Sequence, residues 1–167
     1  MLRTIEEPDA ARLFQLRSDP VVMKYLDRPM AQSIDDAREL IRRIRADQEA
    51  NQGITWAICL KEDPALLGTI GYWRIQHEHH RAEIGYLLDP ALHGKGMMQE
   101  AFQPVIAYGF SVMKLHSIEA NVNPSNAASI KILERNGFVR EAYFRQNYFY
   151  NGQFLDTLIY SLLTPSA

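Results

Sequence analysis

Apolar residues recur every three or four positions in several stretches of the chain, and this spacing predicts amphipathic helices. The stretches are residues 10–17, 37–44 and 98–106, and a shorter helix is expected over residues 21–26. Ser33, with Asp36 three residues later, resembles a capping box and predicts the start of the helix that contains residues 37–44. Pro104 lies inside the third, and because the apolar positions continue beyond it, we expect a kink rather than an end.

Short runs of apolar and β-branched residues predict strands between these helices. The predicted strands cover residues 2–5, 54–60, 66–75, 81–88 and 117–122. Gly68 and Gly71 mark bulges in the third strand or the close approach of a neighbouring backbone. The tail, residues 141–163, is predicted to be a hairpin, because Asn151-Gly152 is a strong signal for a type I′ turn.

A cluster of small and basic residues, His93-Gly94-Lys95-Gly96, joins the strand at 81–88 to the helix after it. A strand, a glycine-rich loop and a helix start present free backbone N–H groups to an anion, and Lys95 adds a positive charge. A P-loop would need Ser or Thr at position 96, and a dinucleotide fingerprint would need glycine at position 99, so neither is predicted. A glycine-containing turn that binds nothing is the alternative interpretation.

The same segment resembles motif A of the GNAT acetyltransferase superfamily, Q/R-x-x-G-x-G/A, whose loop amides hold the pyrophosphate of acetyl-CoA. Gly96 matches the first glycine of the motif, whereas His93 stands in place of Gln or Arg, and Met98 in place of the last Gly or Ala. Backbone amides can bind a phosphate at all of these positions. The resemblance therefore implies that this loop binds acetyl-CoA.

Residues 123–138 resemble the second GNAT signature, N-x-x-(S/A)…N-G-F. By this resemblance the Asn126 side chain holds the pantetheine amides, and Ser129 faces the cofactor sulfur. Gly137 and Phe138 predict a Schellman ending for the helix. The candidate N-caps are Asn123, Ser125 and Asn126. A well-capped helix without a ligand would explain the helix ends, but it leaves Asn126 and Ser129 unexplained.

Three segments, residues 2–26, 82–101 and 150–163, resemble the ribosomal-protein alanine N-acetyltransferase (RimJ/RimL-like) branch of that superfamily, so that the resemblance covers nearly the whole chain. The implied fold is the α/β (α+β) GNAT fold, a mixed, twisted sheet of six or seven strands with about four helices. In that family two central parallel strands splay apart, and the pantetheine arm lies in the gap. The residues implied to bind acetyl-CoA are Tyr86, Leu87, Leu88, His93, Gly94, Lys95, Gly96, Met97, Met98, Asn121, Asn126 and Ser129.

The implied reaction is direct acetyl transfer from acetyl-CoA to a primary amine, which needs a base to remove the amine proton. Glu83 lies where GNAT enzymes often carry a base glutamate; an ordinary hairpin-end carboxylate beside Arg81 is the alternative. A strand N–H near Tyr86 or Leu87 would hold the negative oxygen. Ser129, or a tyrosine of the tail, would protonate the leaving thiolate.

Three further polar groups invite a functional interpretation. Asp156 either pairs with an arginine such as Arg140 or Arg145, which we favour, or faces the acceptor cleft. The segment His77-Glu78-His79-His80 has the residue types of a metal site but lacks the spacing, so a hairpin tip is expected and no metal is predicted. Cys59 is interpreted as buried strand filling.

Composition narrows the class of protein. A length of 167 residues favours a single domain, residues 1–167. The net charge of −2 and the pI near 6.2 argue against a nucleic-acid-binding surface. One cysteine suits a reducing compartment, and neither a signal peptide nor an apolar run of about 18 residues is visible. We therefore expect a cytoplasmic protein that does not act at a membrane.

The acceptor is expected to be the N-terminal α-amino group of a protein or peptide, such as a ribosomal protein. An α-amine has a pKa of about 7.7–8.0 and needs less help than lysine at about 10.4, and Glu83 is the one good carboxylate candidate. A polyamine, an aminoglycoside or another small amine is the alternative acceptor. A non-catalytic acyl-CoA-binding module is the alternative from another class, and the sequence indicates no oligomeric state.

Overall fold

The computed structural model describes residues 1–165. Seven strands form one sheet in the order β1-β2-β3-β4-β5-β7-β6. The strands are β1 Leu2–Thr4, β2 Ile54–Ile58, β3 Gly68–Gln76, β4 Arg81–Leu88, β5 Ser117–Val122, β6 Val139–Tyr150 and β7 Gln153–Leu163. The helices are α1 Ala10–Ser18, α2 Pro20–Met23, α3 Ile34–Glu49, α4 Met97–Ser111 and α5 Ala127–Arg135. The predicted mixed α/β architecture is confirmed, with five helices instead of about four.

Only β4 and β5 run parallel; every other neighbouring pair is antiparallel. Their pairing covers Arg81 to Glu83 on β4 and Ser117 to Glu119 on β5, and both strands continue for several residues beyond it. The central parallel strands therefore separate after Glu83, as the GNAT resemblance implied.

Helices cover the sheet on both faces and divide the core into two clusters. On one face, α4 and α5 pack against the central strands through residues such as Phe102 and Leu133. On the other face, α1 and α3 pack against β2 and β4 through residues such as Leu13 and Ile41. This division follows the period-2 alternation of β4, because neighbouring residues of a strand point to opposite faces. Cys59 is buried directly after β2, as expected.

Several local predictions are confirmed. The Ser33 hydroxyl and the Asp36 carboxylate close the capping box that starts α3. The Schellman ending of α5 is present, since the Phe138 N–H donates to the Leu133 carbonyl oxygen at 3.1 Å and Gly137 has a φ of 83°. Asn151 and Gly152 both have positive φ, as a type I′ turn requires.

The structure also decides details that the sequence left open. A Cβ on Gly68 or Gly71 would collide with the backbone of a neighbouring strand, so these glycines mark close approach, and the bulge of β3 lies between Trp73 and Gln76 instead. Helix α4 continues through Pro104 to Ser111. Among the candidate N-caps of α5, Asn126 is the one used.

Candidate active site

The gap between β4 and β5 opens into a cleft of about 470 Å³. Its walls come from distant parts of the chain: α1, the segment between α2 and α3, one side of α3, strands β2 to β5, the start of α5, and the β6–β7 hairpin. Of the predicted site residues, those that line the cleft are Glu83, Tyr86, Leu87, Asn121, Asn126 and Ser129. The cleft reaches both faces of the sheet, because Glu83 and Tyr86 have opposite parity along β4.

The register of β3 and β4 shows which backbone groups of β4 face the gap. The Asp89 N–H donates to the Leu67 carbonyl oxygen at 2.9 Å, so residues 85, 87 and 89 direct their backbone groups towards β3. Tyr86 and Leu88 therefore direct theirs towards the gap. Of the two positions predicted to hold the negative oxygen, Tyr86 offers a free N–H, whereas Leu87 contributes its side chain.

Glu83 lies at the point where the two parallel strands part. It pairs with Trp73 on β3 and with Glu119 on β5, and it is 7% exposed. Burial raises the pKa of the Glu83 carboxyl, partly offset by the nearby Asn121 amide and the Arg74 guanidinium, whose Nη1 donates to Oε2 at 3.2 Å. A carboxyl whose pKa is raised towards neutral pH is suited to accept a proton from an amine.

The alternative interpretation of Glu83 is an ordinary hairpin-end carboxylate beside Arg81. In the structure, however, Arg81 forms its ion pair with Glu119. Glu83 meets Arg74 because of the bulge in β3. Arg74 has a φ of 49°, and its side chain lies on the face that Trp73 and Glu83 share. This contact could not be predicted from the sequence, since regular alternation would place Arg74 on the opposite face.

A hydrogen bond between the Tyr86 hydroxyl and Ser129 Oγ crosses the other end of the gap. The Tyr86 ring packs edge-to-face on Phe102 of α4, with ring centroids 4.8 Å apart. Burial raises the pKa of Tyr86 to about 12, so the phenol keeps its proton at neutral pH. The sequence nominated Tyr86 only for its backbone, and the contact of its hydroxyl with Ser129 depends on how α5 docks.

Two asparagines flank this hydroxyl pair. Asn126 Oδ1 accepts the Ser129 N–H at 3.1 Å, so the same side chain caps α5 and holds the serine in position. The Asn121 amide donates to Glu119 at 3.0 Å, at the mouth of the gap on β5.

The predicted phosphate loop, His93 to Met98, lies outside the cleft, between β4 and α4. Gly94 and Gly96 have φ of 75° and 78°, a conformation that favours glycine. Within residues 1–165, the backbone N–H groups of residues 94–99 have no hydrogen-bond acceptor. His93 Nε2 lies 3.1 Å from the Leu88 carbonyl oxygen and ties the loop to the end of β4. Free amides at the start of a fifteen-residue helix form an arrangement that binds phosphate.

The tail places its polar groups differently from the prediction. Asp156 lines the cleft, but it accepts hydrogen bonds from the Tyr143 hydroxyl and from the Gln146 N–H, the latter at 2.8 Å, and it forms no ion pair with Arg140 or Arg145. The favoured arginine pairing is therefore wrong. Tyr148 donates to the Asp27 carbonyl oxygen at 3.0 Å. The Tyr160 hydroxyl donates to Glu134 Oε1 at 3.0 Å, so these three tail tyrosines direct their hydroxyls away from Ser129.

The histidine segment forms the turn between β3 and β4, as expected of a hairpin tip. In the part of the chain that the structure describes, no group of three or more His, Cys, Asp or Glu side chains is placed to hold a metal ion. Across residues 1–165, no helix is long and apolar enough to cross a bilayer.

Comparison with known proteins agrees with this geometry. Residues 1–139 match the family model described as an acetyltransferase (GNAT) domain. The chain is 35% identical over 165 residues to the uncharacterized N-acetyltransferase YoaA of Bacillus subtilis (strain 168), covering 99% of this chain and 93% of the relative. It is 38% identical over 162 residues to the uncharacterized N-acetyltransferase p20 of Bacillus licheniformis, covering 97% and 91%.

Among solved structures, a GNAT-family acetyltransferase from Bacillus anthracis superposes with a TM-score of 0.85 at 29% identity, covering 97% of this chain and 93% of that one. The separation of β4 from β5 and the free amides before α4 are consistent with these matches, which cover almost the full length of this chain. The chain therefore belongs to the GNAT acetyltransferase family and is an N-acetyltransferase.

Proposed function

We propose that this enzyme transfers the acetyl group of acetyl-CoA to the N-terminal α-amino group of a protein or peptide, in the manner of the ribosomal-protein branch of the family. The observation that carries the proposal is that Glu83 is the one buried carboxylate among the described residues that line the cleft. An α-amine with a pKa of about 7.7–8.0 is roughly 10–15% neutral at pH 7, so one base is sufficient. A lysine amine is neutral in fewer than about one molecule in a thousand.

The proposed reaction is a direct transfer. Glu83 takes the proton as the amine nitrogen attacks the acetyl carbon. The carbonyl oxygen becomes negative and is held by the Tyr86 N–H, which faces the gap. The C–S bond then breaks, and the CoA thiolate takes a proton from the pair formed by Ser129 and the Tyr86 hydroxyl, which leaves an amide and free CoA. Glu83 releases the amine proton to solvent, and the hydroxyl pair takes one proton back from solvent, so that both groups return to their starting states.

Two groups of residues are proposed to bind acetyl-CoA. We assign the pyrophosphate to the amides and the positive charge of the loop His93, Gly94, Lys95, Gly96, Met97 and Met98. The pantetheine arm would lie in the gap against the backbone of Tyr86 and Leu88, with Asn121 and Asn126 at its sides. Leu87 would contribute only its side chain, because its backbone groups belong to the ladder with β3.

Relatives support both this acceptor and its main rival. The chain is 30% identical over 171 residues to the putative ribosomal N-acetyltransferase YdaF of Bacillus subtilis, covering 97% of this chain and 90% of the relative. It is 26% identical over 157 residues to a spermidine N(1)-acetyltransferase of Vibrio cholerae, covering 93% and 87%.

One observation favours the polyamine alternative. Three more carboxylates, Asp27, Asp47 and Asp156, also line the cleft, and a polycation would need several. They support it weakly, because Asp156 already accepts two hydrogen bonds within the tail. The buried position of Glu83 beside the gap argues against the other alternative, an acyl-CoA-binding module without activity.

We also propose that the whole chain acts as one domain. The family model ends at residue 139, but β7 pairs with β5 along six residues of each strand, and the β6–β7 hairpin supplies part of the cleft wall.

A competition experiment tests the acceptor. Equal concentrations of a peptide that begins with alanine, the same peptide N-blocked but carrying a lysine, and spermidine are incubated with enzyme and acetyl-CoA, and acetylated products are quantified by mass spectrometry. We expect the free α-amine to be the main product. Preferential acetylation of spermidine or the lysine would refute the proposed acceptor, and the absence of CoA release with any amine would refute catalysis.

A further inference from the structure

Three arginines line the acceptor side of the cleft: Arg17 on α1, Arg28 after α2, and Arg74 in the bulge of β3. Arg74 forms an ion pair with Glu83. Within the described chain, the side chains of Arg17 and Arg28 form neither an ion pair nor a hydrogen bond with a carboxylate. Arg28 stacks on the Trp73 ring, with its Cζ 4.6 Å from the ring centroid.

The position of Arg17 is costly without an anion. Its side chain is half-buried, and both burial and the nearby charges of Arg28 and Arg43 lower its pKa. Like charges close together in a partly desolvated site repel one another, and arginine remains charged because the ordinary pKa of its guanidinium lies far above neutral pH. A cluster of this kind is stabilised when a negatively charged group binds between its members.

The carboxylates of the cleft do not supply this group. Glu83 is paired with Arg74, and Asp156 is held by Tyr143 and Gln146. Asp27 is half-buried beside Asn123, and burial raises the pKa of its carboxyl, which disfavours its charged form. Asp47 is exposed near the end of α3, and among the described residues it forms no ion pair with an arginine.

The distance from this cluster to the base is short. Trp73 pairs directly with Glu83 across the two strands, so the two side chains are neighbours on one face. Arg28 covers the Trp73 ring, and Arg74 lies over the same ring at 4.2 Å. An anion held by Arg28 therefore lies about one side chain away from the amine that Glu83 would deprotonate.

We propose that Arg17 and Arg28 bind a carboxylate carried by the acceptor close to its reacting amine, namely an Asp or Glu side chain at the second position of the acceptor peptide. This inference rests on the proposed function, because it names the sequence that an N-terminal acceptor would carry. The planar guanidinium group matches a carboxylate in a bidentate geometry. A polyamine would instead bring positive charge close to Arg17 and Arg28.

The test compares three peptides that differ only at the second residue, Ala-Asp, Ala-Asn and Ala-Lys, by kcat/KM. We expect Ala-Asp to exceed its isostere Ala-Asn by at least about tenfold, and Ala-Lys to be the poorest. Arg28→Gln should bring the Asp-to-Asn ratio close to one, and Arg28→Glu should make Ala-Lys the better substrate. Arg45→Gln, an exposed arginine of α3 outside the cleft, is the matched control and should keep the wild-type ratio.

The result separates this inference from the proposed function. Equal rates for Ala-Asp and Ala-Asn, or a preference that survives Arg28→Gln, overturn the carboxylate site and leave α-amine acetylation standing. If all peptides are inert but 4-aminobutyrate is acetylated in an Arg28-dependent manner, the N-terminal acceptor is wrong and the carboxylate site is supported. A preference for spermidine overturns both. A reversal of preference by Arg28→Glu cannot come from partial unfolding, which would lower all rates together.

Discussion

The two sides of the gap are built in different ways. The side assigned to acetyl-CoA comes from one continuous stretch, β4 to α5, and near neighbours in sequence set its loop and helix ends, while the docking of α5 brings Ser129 to Tyr86. The acceptor side combines α1, the segment before α3, the β3 bulge and the tail, and it is closed by contacts such as Tyr148 with Asp27, 121 residues apart. Local sequence can specify much of the first side, whereas only folding of the whole chain assembles the second.

The largest effect is expected on the acetyl-CoA side of the gap, in the binding of acetyl-CoA at the loop before α4. Gly96→Asp should abolish the rise in Tm that acetyl-CoA causes, because it places a negative charge where the phosphates are proposed to bind. Gly96→Asn is the matched control, since Asn has the same shape and tolerates the positive φ of this position. Differential scanning fluorimetry with and without acetyl-CoA measures both, and an equal Tm shift in the two variants would show that the phosphates bind elsewhere.

The second-largest effect is expected at Glu83, which lies where the acetyl-CoA side and the acceptor side meet. Glu83→Gln should lower kcat by about 10²–10⁴, the usual contribution of a general base. The loss should shrink as pH rises and the amine deprotonates unaided. Because burial raises the pKa of Glu83, the wild-type rate should fall on the acid side at a higher pH than an ordinary carboxyl would give.

Arg74→Gln sharpens that result, because Arg74 lowers the pKa of Glu83. Its removal should move the acid limb of the kcat/KM profile to higher pH while activity at alkaline pH is retained. An unchanged acid limb in either variant would mean that the limb belongs to another group.

The smallest effect is expected at the leaving group. A thiol with a pKa near 8.5 leaves readily, so Ser129→Ala and Tyr86→Phe should each lower kcat only about tenfold or less. Neither should change acetyl-CoA affinity, since the amides of the loop remain. Stopped-flow turnover and calorimetric binding separate the two quantities, and a large loss of affinity in Ser129→Ala would assign this serine to binding.

Short-range signals predicted much of the fold. Capping residues, the Asn-Gly turn and the apolar periods placed the strands and longer helices within a few residues. Caps and turns act through hydrogen bonds between near neighbours, and the apolar spacing repeats within a single element. Pro104 illustrates the limit. Its sequence context favoured a helix that continues, and α4 does continue, but which backbone groups adjust around the proline depends on packing.

The candidate site divides in the same way. The sequence alone identified Gly94 and Gly96 and limited the N-cap of α5 to Asn123, Ser125 or Asn126, because a glycine loop and an N-cap are properties of a few consecutive residues. Only the tertiary structure brought Arg74 to Glu83, the Tyr86 hydroxyl to Ser129 and Asp156 to Tyr143. Those contacts depend on a β-bulge, a helix docking and a hairpin register, each decided by the packing of residues far apart in the chain.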